Sequence, residues 1–222
     1  MDVSLVIGTC DSYDFLWDNF KTLEERYLPF KNCPRIAFTE TKDFGEGYIT
    51  SNSKGPWSNR LLAALEKVET EYTFFVLEDY FFTKHISEQD IDTMVYVLDS
   101  LKKDKFMLAT ALRHYHLHNY LDIPKMDLFG TAFFQHPESP YLTSIQPAVW
   151  RTSYLKSVVK EDWTPWDLEV EGSKDAQHVG AGNMVYHVDD FYFNAVRKGC
   201  TLSPGWEEVK EKEDLPELIF PK

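Results

Sequence analysis

Cysteine is scarce in this chain and gives no sign of pairing. Cys10, Cys33 and Cys200 are odd in number and far apart, so neither a disulfide framework nor a zinc ribbon is indicated. No apolar run is long enough to span a bilayer. The amino end, Met1-Asp2-Val3-Ser4-Leu5-Val6-Ile7-Gly8, enters a strand pattern at once, without the basic region and long apolar segment of a secretory signal. A cytoplasmic location is the expectation. Positive charge is also short: 23 Lys and Arg stand against 36 Asp and Glu, a formal charge of −13. That balance opposes general affinity for nucleic acid or an anionic membrane surface. Internal repeats and low-complexity linkers are missing too, so one domain over residues 1–222 is expected.

What is present is a globular composition. At 43% hydrophobic and 15% aromatic, the chain can bury a substantial core and lies far from disordered sequences. Val3-Ser4-Leu5-Val6-Ile7 reads as a first strand ending at the polar exit Gly8-Thr9-Cys10-Asp11-Ser12. Phe15, Trp17, Phe20, Leu23 and Tyr27 then recur at helical spacings up to Pro29, and Arg35 to Thr39 reads as a second strand. Ser58 is positioned to cap a helix with the apolar stripe Leu61, Leu62, Leu65 and Val68. Ser87 and Asp90 form a capping-box pattern ahead of Ile91, Met94, Val95, Leu98 and Leu101. Phe106 to Leu112 reads as a further strand, and Gly130 to Tyr141 as a loop or antiparallel excursion. Alternating strands and helices predict an α/β domain with a mostly parallel sheet flanked by helices, followed by a less regular second half.

The strongest chemical signal is Tyr72-Thr73-Phe74-Phe75-Val76-Leu77-Glu78-Asp79-Tyr80, an apolar strand ending in two adjacent carboxylates. Open α/β sheets bind ligands beyond the carboxyl ends of their strands, where Glu78 and Asp79 would meet a metal, a ribose or a diphosphate. Further on, Thr164-Pro165-Trp166-Asp167-Leu168-Glu169 combines a cap, a proline at the first helical position and acids in the first turn, with Gly172 available as a stop.

These segments, in this order, resemble glycosyltransferases of the A-type nucleotide-sugar-binding fold, especially the family 2-like bacterial enzymes that assemble surface polysaccharides. Val3 to Ser12 is similar to the first nucleotide-binding strand and loop, and Ser58 to Leu65 to the helix before the donor-site acids. Val76-Leu77-Glu78-Asp79-Tyr80 falls at the Asp-x-Asp motif. Gln146-Pro147-Ala148-Val149-Trp150 and Trp166-Asp167-Leu168-Glu169 resemble a Gln-Pro-Ala-x-Trp element followed by Trp-x-x-Glu. The likeness extends loosely through Tyr192 to Gly199.

The resemblance implies a single Rossmann-like A-type domain: residues 1–112 for the nucleotide sugar, 113–205 for acceptor and catalysis, and an acidic tail at 206–222. It implies inverting transfer of a sugar from a nucleotide-sugar donor to a glycan or lipid-linked acceptor, with membrane association only through that acceptor. Glu169 is then the catalytic base and Asp167 its rival. Thr9, Asp11, Asn59, Arg60, Glu78 and Asp79 would bind donor, and Gln146, Trp150 and Trp166 the acceptor. Asp79 would hold Mn²⁺ or Mg²⁺, against which stands Tyr80, in the place of the motif's second aspartate. Thr39 and Glu40 also end a predicted strand.

Two other classes compete. In His114-Tyr115-His116-Leu117-His118, alternate residues on a strand would place His114, His116 and His118 on one face, as a zinc hydrolase could use them. A noncatalytic nucleotide- or carbohydrate-binding module of the same fold is the other, with Tyr80 in its favour. The end of the chain from Trp206, rich in Glu and Lys, reads as a solvated tail or surface helix that Leu218, Ile219 and Phe220 could pin down.

Overall fold

A computed structural model of the chain describes residues 1–108, 126–127, 131–134, 141–179, 183–187, 191–197 and 201–220. Strand β1 (Val3–Gly8) is buried along its whole length. Val3, Leu5 and Ile7 face one apolar layer and Val6 the other, the period-two pattern of a strand covered on both faces. β2 (Arg35–Thr39) and β4 (Tyr72–Leu77) pair with β1 in parallel, and β3 (Ile49–Asn52) pairs with β2 in the same sense. Gly8 lets these strands converge at their carboxyl ends: a Cβ there would lie 2.8 Å from Leu77 Cδ2 and 2.9 Å from Phe38 Cζ.

The sheet continues through β6 (Lys105–Leu108), β7 (Met126–Asp127), β8 (Thr131–Phe134), β9 (Ala148–Arg151) and β10 (Asn183–His187), in the order β3-β2-β1-β4-β9-β6-β10-β8-β7. β9 runs antiparallel to both β4 and β6, and β8 runs antiparallel to β10. The other strands share one direction, so the mostly parallel sheet expected from the sequence is observed. Residues 109–112 of the predicted strand lie outside the described residues.

A 3-10 turn (Asp11–Leu16) leads into α1 (Trp17–Tyr27), which covers one face of the sheet together with α3 (Glu88–Leu101). Ser87 and Asp90 form the expected capping box of α3. On the other face, α2 (Trp57–Leu65), α4 (Thr152–Val158) and α5 (Pro165–Val179) contribute Leu61, Leu65, Leu155 and Leu168 to the second layer. A small antiparallel ribbon, β5 (Tyr80–Phe82) with β11 (Tyr192–Asn194), stands just beyond the end of β4. β12 (Val196–Arg197) pairs with β13 (Thr201–Leu202), and α6 (Trp206–Glu213) follows.

Two local expectations are corrected. Ser58 does not cap α2, which starts at Trp57. Its hydroxyl instead accepts from Trp163 N at 2.8 Å, joining α2 to the approach to α5. Gly172 does not stop α5 but lies inside it, where a Cβ would meet Thr143 Oγ1 at 2.9 Å and Leu168 Cδ1 at 3.1 Å. Close packing, not termination, requires the glycine. At the carboxyl end the helix alternative holds: Trp206, Leu215 and Leu218 are buried and Phe220 packs on Phe15 with ring centroids 5.0 Å apart, while Ile219 is exposed. Glu213, itself buried, accepts from Arg26 Nη1 at 2.6 Å and from the Tyr27 hydroxyl at 2.7 Å on α1.

Candidate active site

The parallel strands β1, β2 and β4 end on one rim, and the polar residues after each meet there. Thr9 is buried: its hydroxyl accepts from Trp17 Nε1 at 2.8 Å and its carbonyl from Arg60 Nη1 at 3.1 Å. The same Arg60 nitrogen pairs with Glu40 Oε1 at 2.6 Å, and the guanidinium carbon lies 6.0 Å from the centroid of the Phe38 ring. Among the described residues, Arg60 Nε is buried without a partner. Glu40, at the exit of β2, is therefore a member of this rim.

Asp11 binds backbone. Its carboxylate accepts from the N–H groups of Glu40, Thr41 and Lys42 at 3.1 to 3.2 Å and from the Thr41 hydroxyl at 2.5 Å. Burial alone would raise its pKa, but the bonds from Thr41, Lys42 and Glu40 outweigh it and hold the carboxyl at about 2. Asp11 is the clamp between the exits of β1 and β2. Asn59 is likewise committed, its amide exchanging bonds with Asp162 at 3.2 and 2.7 Å.

Glu78 and Asp79 form the turn between β4 and β5. Burial pushes the Glu78 carboxyl well above the ordinary range, helped by the negative charge of Asp79 and opposed by the Thr9 hydroxyl and Arg60. Burial also pushes Asp79 up to about 7. Asp79 is only half-buried as a residue, yet its Oδ1 is sealed and has no partner among the described residues. With the Asn194 amide nitrogen turned inward, Asn194 donates to Asp79 Oδ2 at 2.7 Å and to the Val196 carbonyl at 2.9 Å. Asn194 carried no individual signal in the sequence, because it reaches the acids only through the pairing of β11 with β5.

The reversal of β9 brings the second half of the chain to this rim. Because Ala148 pairs with Phe75 and Arg151 with Tyr72, the residues just before β9 emerge beyond the carboxyl end of β4. Gln146 Nε2 donates to the Tyr80 hydroxyl at 2.7 Å, and Gln146 Oε1 accepts from the Tyr192 hydroxyl at 2.6 Å. Two residues earlier, Ser144 Oγ donates to Glu169 Oε1 at 2.9 Å, as does Ile145 N at 3.0 Å. Glu169 Oε2 has no hydrogen-bond partner among the described residues.

Three candidates remain, Asp167, Trp150 and Trp166. Asp167 accepts from Thr164 N at 2.8 Å and Thr164 Oγ1 at 2.7 Å, while Asp167 N donates back to Thr164 Oγ1. It is the acidic half of a capping box, and the bonds from the Thr164 backbone and side chain lower its pKa. Trp150 is wholly buried beneath α4 and stacks on Tyr154, so it offers no face to an acceptor. Trp166 is the opposite case, 72% exposed on the first turn of α5. The three-histidine reading at His114, His116 and His118 lies outside the described residues.

A divalent cation fits this arrangement through one carboxylate. Asp79 Oδ1 is an orphaned buried acceptor beside a second acid, and a cation there would satisfy it and offset the repulsion between the two. Among the described residues there is no group of three or more His, Cys, Asp or Glu side chains that could hold a metal.

The fold of this chain is found in solved structures. S. aureus TarS, a glycosyltransferase, superposes as its 1–349 fragment with a TM-score of 0.56 at 14% identity, over 86% of this chain and 60% of that one. Its complex with UDP-GlcNAc superposes with a TM-score of 0.51 at 16% identity, over 96% of this chain and 65% of that one. The fold is that of the A-type nucleotide-sugar transferases. Cytidylyltransferases share it. The 2-C-methyl-D-erythritol 4-phosphate cytidylyltransferase of Thermus thermophilus matches with a TM-score of 0.53 at 10% identity, over 89% of this chain and 94% of its own. The CMP:2-keto-3-deoxy-manno-octonic acid synthetase bound to CTP gives 0.53 at 11% identity, over 96% and 98%. This chain therefore spans about three fifths of the TarS fragment but nearly all of the two smaller enzymes. No protein family and no curated protein matches by sequence.

Proposed function

We propose that this protein transfers a sugar from a nucleotide-sugar donor to a hydroxyl of a glycan or lipid-linked acceptor. The observation that carries the reading is one continuous connection across the rim. Asp79 is followed by Tyr80, whose hydroxyl accepts from Gln146, and the N–H of Ile145, next to Gln146, donates to Glu169. Donor-side acids and a carboxylate suited to be a base thus belong to one scaffold.

Thr9 and Arg60 face the donor, Arg60 exchanging Glu40 for a diphosphate oxygen. Asp79, beside Glu78, meets the ribose or holds Mn²⁺ or Mg²⁺, which when bound would neutralise charge on the leaving diphosphate. Gln146 and the exposed Trp166 face the acceptor, an indole face packing on the apolar side of a pyranose. Glu169 takes the proton of the acceptor hydroxyl through Oε2. The acceptor oxygen bonds to the anomeric carbon, and the carbon–oxygen bond to the diphosphate breaks with its electron pair leaving on the nucleotide. One displacement of this kind inverts the anomeric centre.

A second reading, nucleotidyl transfer, is favoured by the near-complete span of the cytidylyltransferase matches. Against it, residues 9–20 contain no Lys or Arg and carry Asp11, Asp14 and Asp18, which would repel a triphosphate at the exit of β1.

Thermal stability measured with UDP, GDP, CDP, dTDP, their sugar conjugates and CTP, each with Mn²⁺, Mg²⁺ or EDTA, tests the proposal, since ligands of the native state raise Tm. Stabilisation by one nucleotide sugar, followed by transfer or slow donor hydrolysis, is expected. Preference for CTP with pyrophosphate release would select nucleotidyl transfer. Binding without turnover of any acceptor would select the noncatalytic module.

A further inference from the structure

Lys105 opens β6 and is wholly buried, a rare position for an ammonium group. Its Nζ donates to the carbonyls of Leu142 at 3.2 Å and Ser144 at 2.5 Å, and lies 4.3 Å from the centroid of the Trp150 ring. Both carbonyls belong to the irregular turn at residues 141–145, whose middle residue Thr143 is tied to α5 through Ser173 Oγ at 3.0 Å and the Leu168 carbonyl at 2.6 Å, leaving the Leu142 and Ser144 carbonyls to Lys105.

Ser144 works in two directions, its carbonyl accepting from Lys105 and its hydroxyl donating to Glu169. Among the described residues, the charged group facing Lys105 from α5 is Glu169. From β9 it meets the Trp150 ring. Asp104, its neighbour in sequence, turns to Arg151 at 3.7 Å. Burial pushes the Lys105 pKa down to about 7, with the Glu169 charge acting against it. An apolar side chain would be less costly to bury here. It would not hold two carbonyls of one turn, nor set a positive charge behind Glu169.

We propose that Lys105 is a positioning residue for Glu169, clamping the 141–145 turn from inside the sheet so that Ser144 Oγ and Ile145 N–H hold Glu169 Oε1 at the reacting end of the site. The proposal rests on Glu169 being the base of the proposed transfer, and its test separates the two.

Carbon-13 NMR of labelled lysine side chains follows the titration of Lys105 in the full chain, with Lys105→Arg identifying its signal. Glu169→Gln is expected to lower the Lys105 midpoint by about one pH unit, because it removes the facing negative charge. Lys105→Met is expected to speed amide exchange at Ile145 by at least about tenfold, with Ile36 on β2 unchanged. Lys105→Arg, which keeps the charge, restores protection at Ile145. In transfer assays Lys105→Met lowers kcat and leaves the donor KM unchanged.

An unmoved Lys105 midpoint in Glu169→Gln, or full Ile145 protection in folded Lys105→Met, overturns the clamp. If Lys105→Met does not fold, the titration in Glu169→Gln decides alone. Full turnover in Glu169→Gln overturns the base assignment, whereas the clamp is decided by titration and exchange, which need no activity.

Discussion

The Tyr80 hydroxyl accepts a hydrogen bond from Gln146 Nε2 at 2.7 Å, joining the turn that bears the acids to the segment before β9. Tyr80 directly follows the acid pair, and the position serves as a strut. Its ring also meets Tyr192 edge-on with centroids 5.2 Å apart, and Tyr192 holds the other end of the Gln146 amide at 2.6 Å. Gln146 therefore has a fixed orientation before any ligand arrives.

Removing the strut without its ring tests this role. Tyr80→Phe leaves a half-buried amide N–H without its acceptor, a cost of about 1 kcal/mol, read as a Tm fall of about 2 to 4 °C. Tyr80→Asp is expected to lose more stability in EDTA and to bind Mn²⁺ more tightly than the natural protein. Calorimetric titration with MnCl₂ checks the second point, and equal affinity would deny Asp79 a place beside the metal.

The raised pKa of Asp79 makes the stability of the metal-free protein fall with pH. Between the ordinary 3.8 and about 7 the native state keeps a proton that the unfolded chain has released, so stability is greatest at the acid end of this window and is lost towards pH 7. In EDTA, Tm is expected to drop by at least about 5 °C between pH 5 and 7.5. Asp79→Asn should reduce that slope, leaving the part contributed by the buried Glu78, and saturating Mn²⁺ should reduce it too. A Tm independent of pH in the natural protein would contradict the sealed environment of Asp79 Oδ1.

Arg60 bridges Thr9 and Glu40 while its Nε has no partner among the described residues. Arg60→Met is expected to weaken nucleoside diphosphate binding by about tenfold to a hundredfold, whereas free nucleoside should bind unchanged. Isothermal titration with the two ligands distinguishes loss of a phosphate contact from collapse of the rim, which would weaken both.

Asp167 and Glu169 are two residues apart but predict opposite phenotypes. Glu169→Gln should keep the fold and lose at least about a hundredfold in kcat, the scale of a general base. Asp167→Ala removes the acidic half of the cap, so a small Tm decrease with turnover within about threefold is expected. The reverse ranking would transfer the base role to Asp167.

Local patterns made the first half of the fold readable. The alternation in Val3 to Ile7, the Ser87 and Asp90 capping box and the acid pair after Leu77 each declare themselves within a few residues. Features set by distant partners did not. Ser58 looks like a cap because hydroxyls before helices usually are, yet it is drawn to Trp163, 105 positions later. Gly172 looks like a stop until Thr143 and Leu168 crowd it. Around the candidate site, the acids Glu78 and Asp79 and the strand-end Glu40 stood out locally and Glu169 only through the family resemblance, whereas the places of Lys105 and Asn194 depend on strand order, which a linear pattern does not carry. Trp150 shows the converse: its motif suggested a ligand contact, and a reversed central strand put it in the core.

That reversed strand also governs how the chain can be assembled. β9 pairs with β4 on one side and β6 on the other, so both remain open-edged until residue 151 has been made. A nascent chain, or a fragment ending at residue 112, would present two hydrophobic strands with unsatisfied N–H and C=O rows, the template on which chains aggregate. Closure of the sheet is a late, long-range event, and the two halves of the sequence become foldable only together.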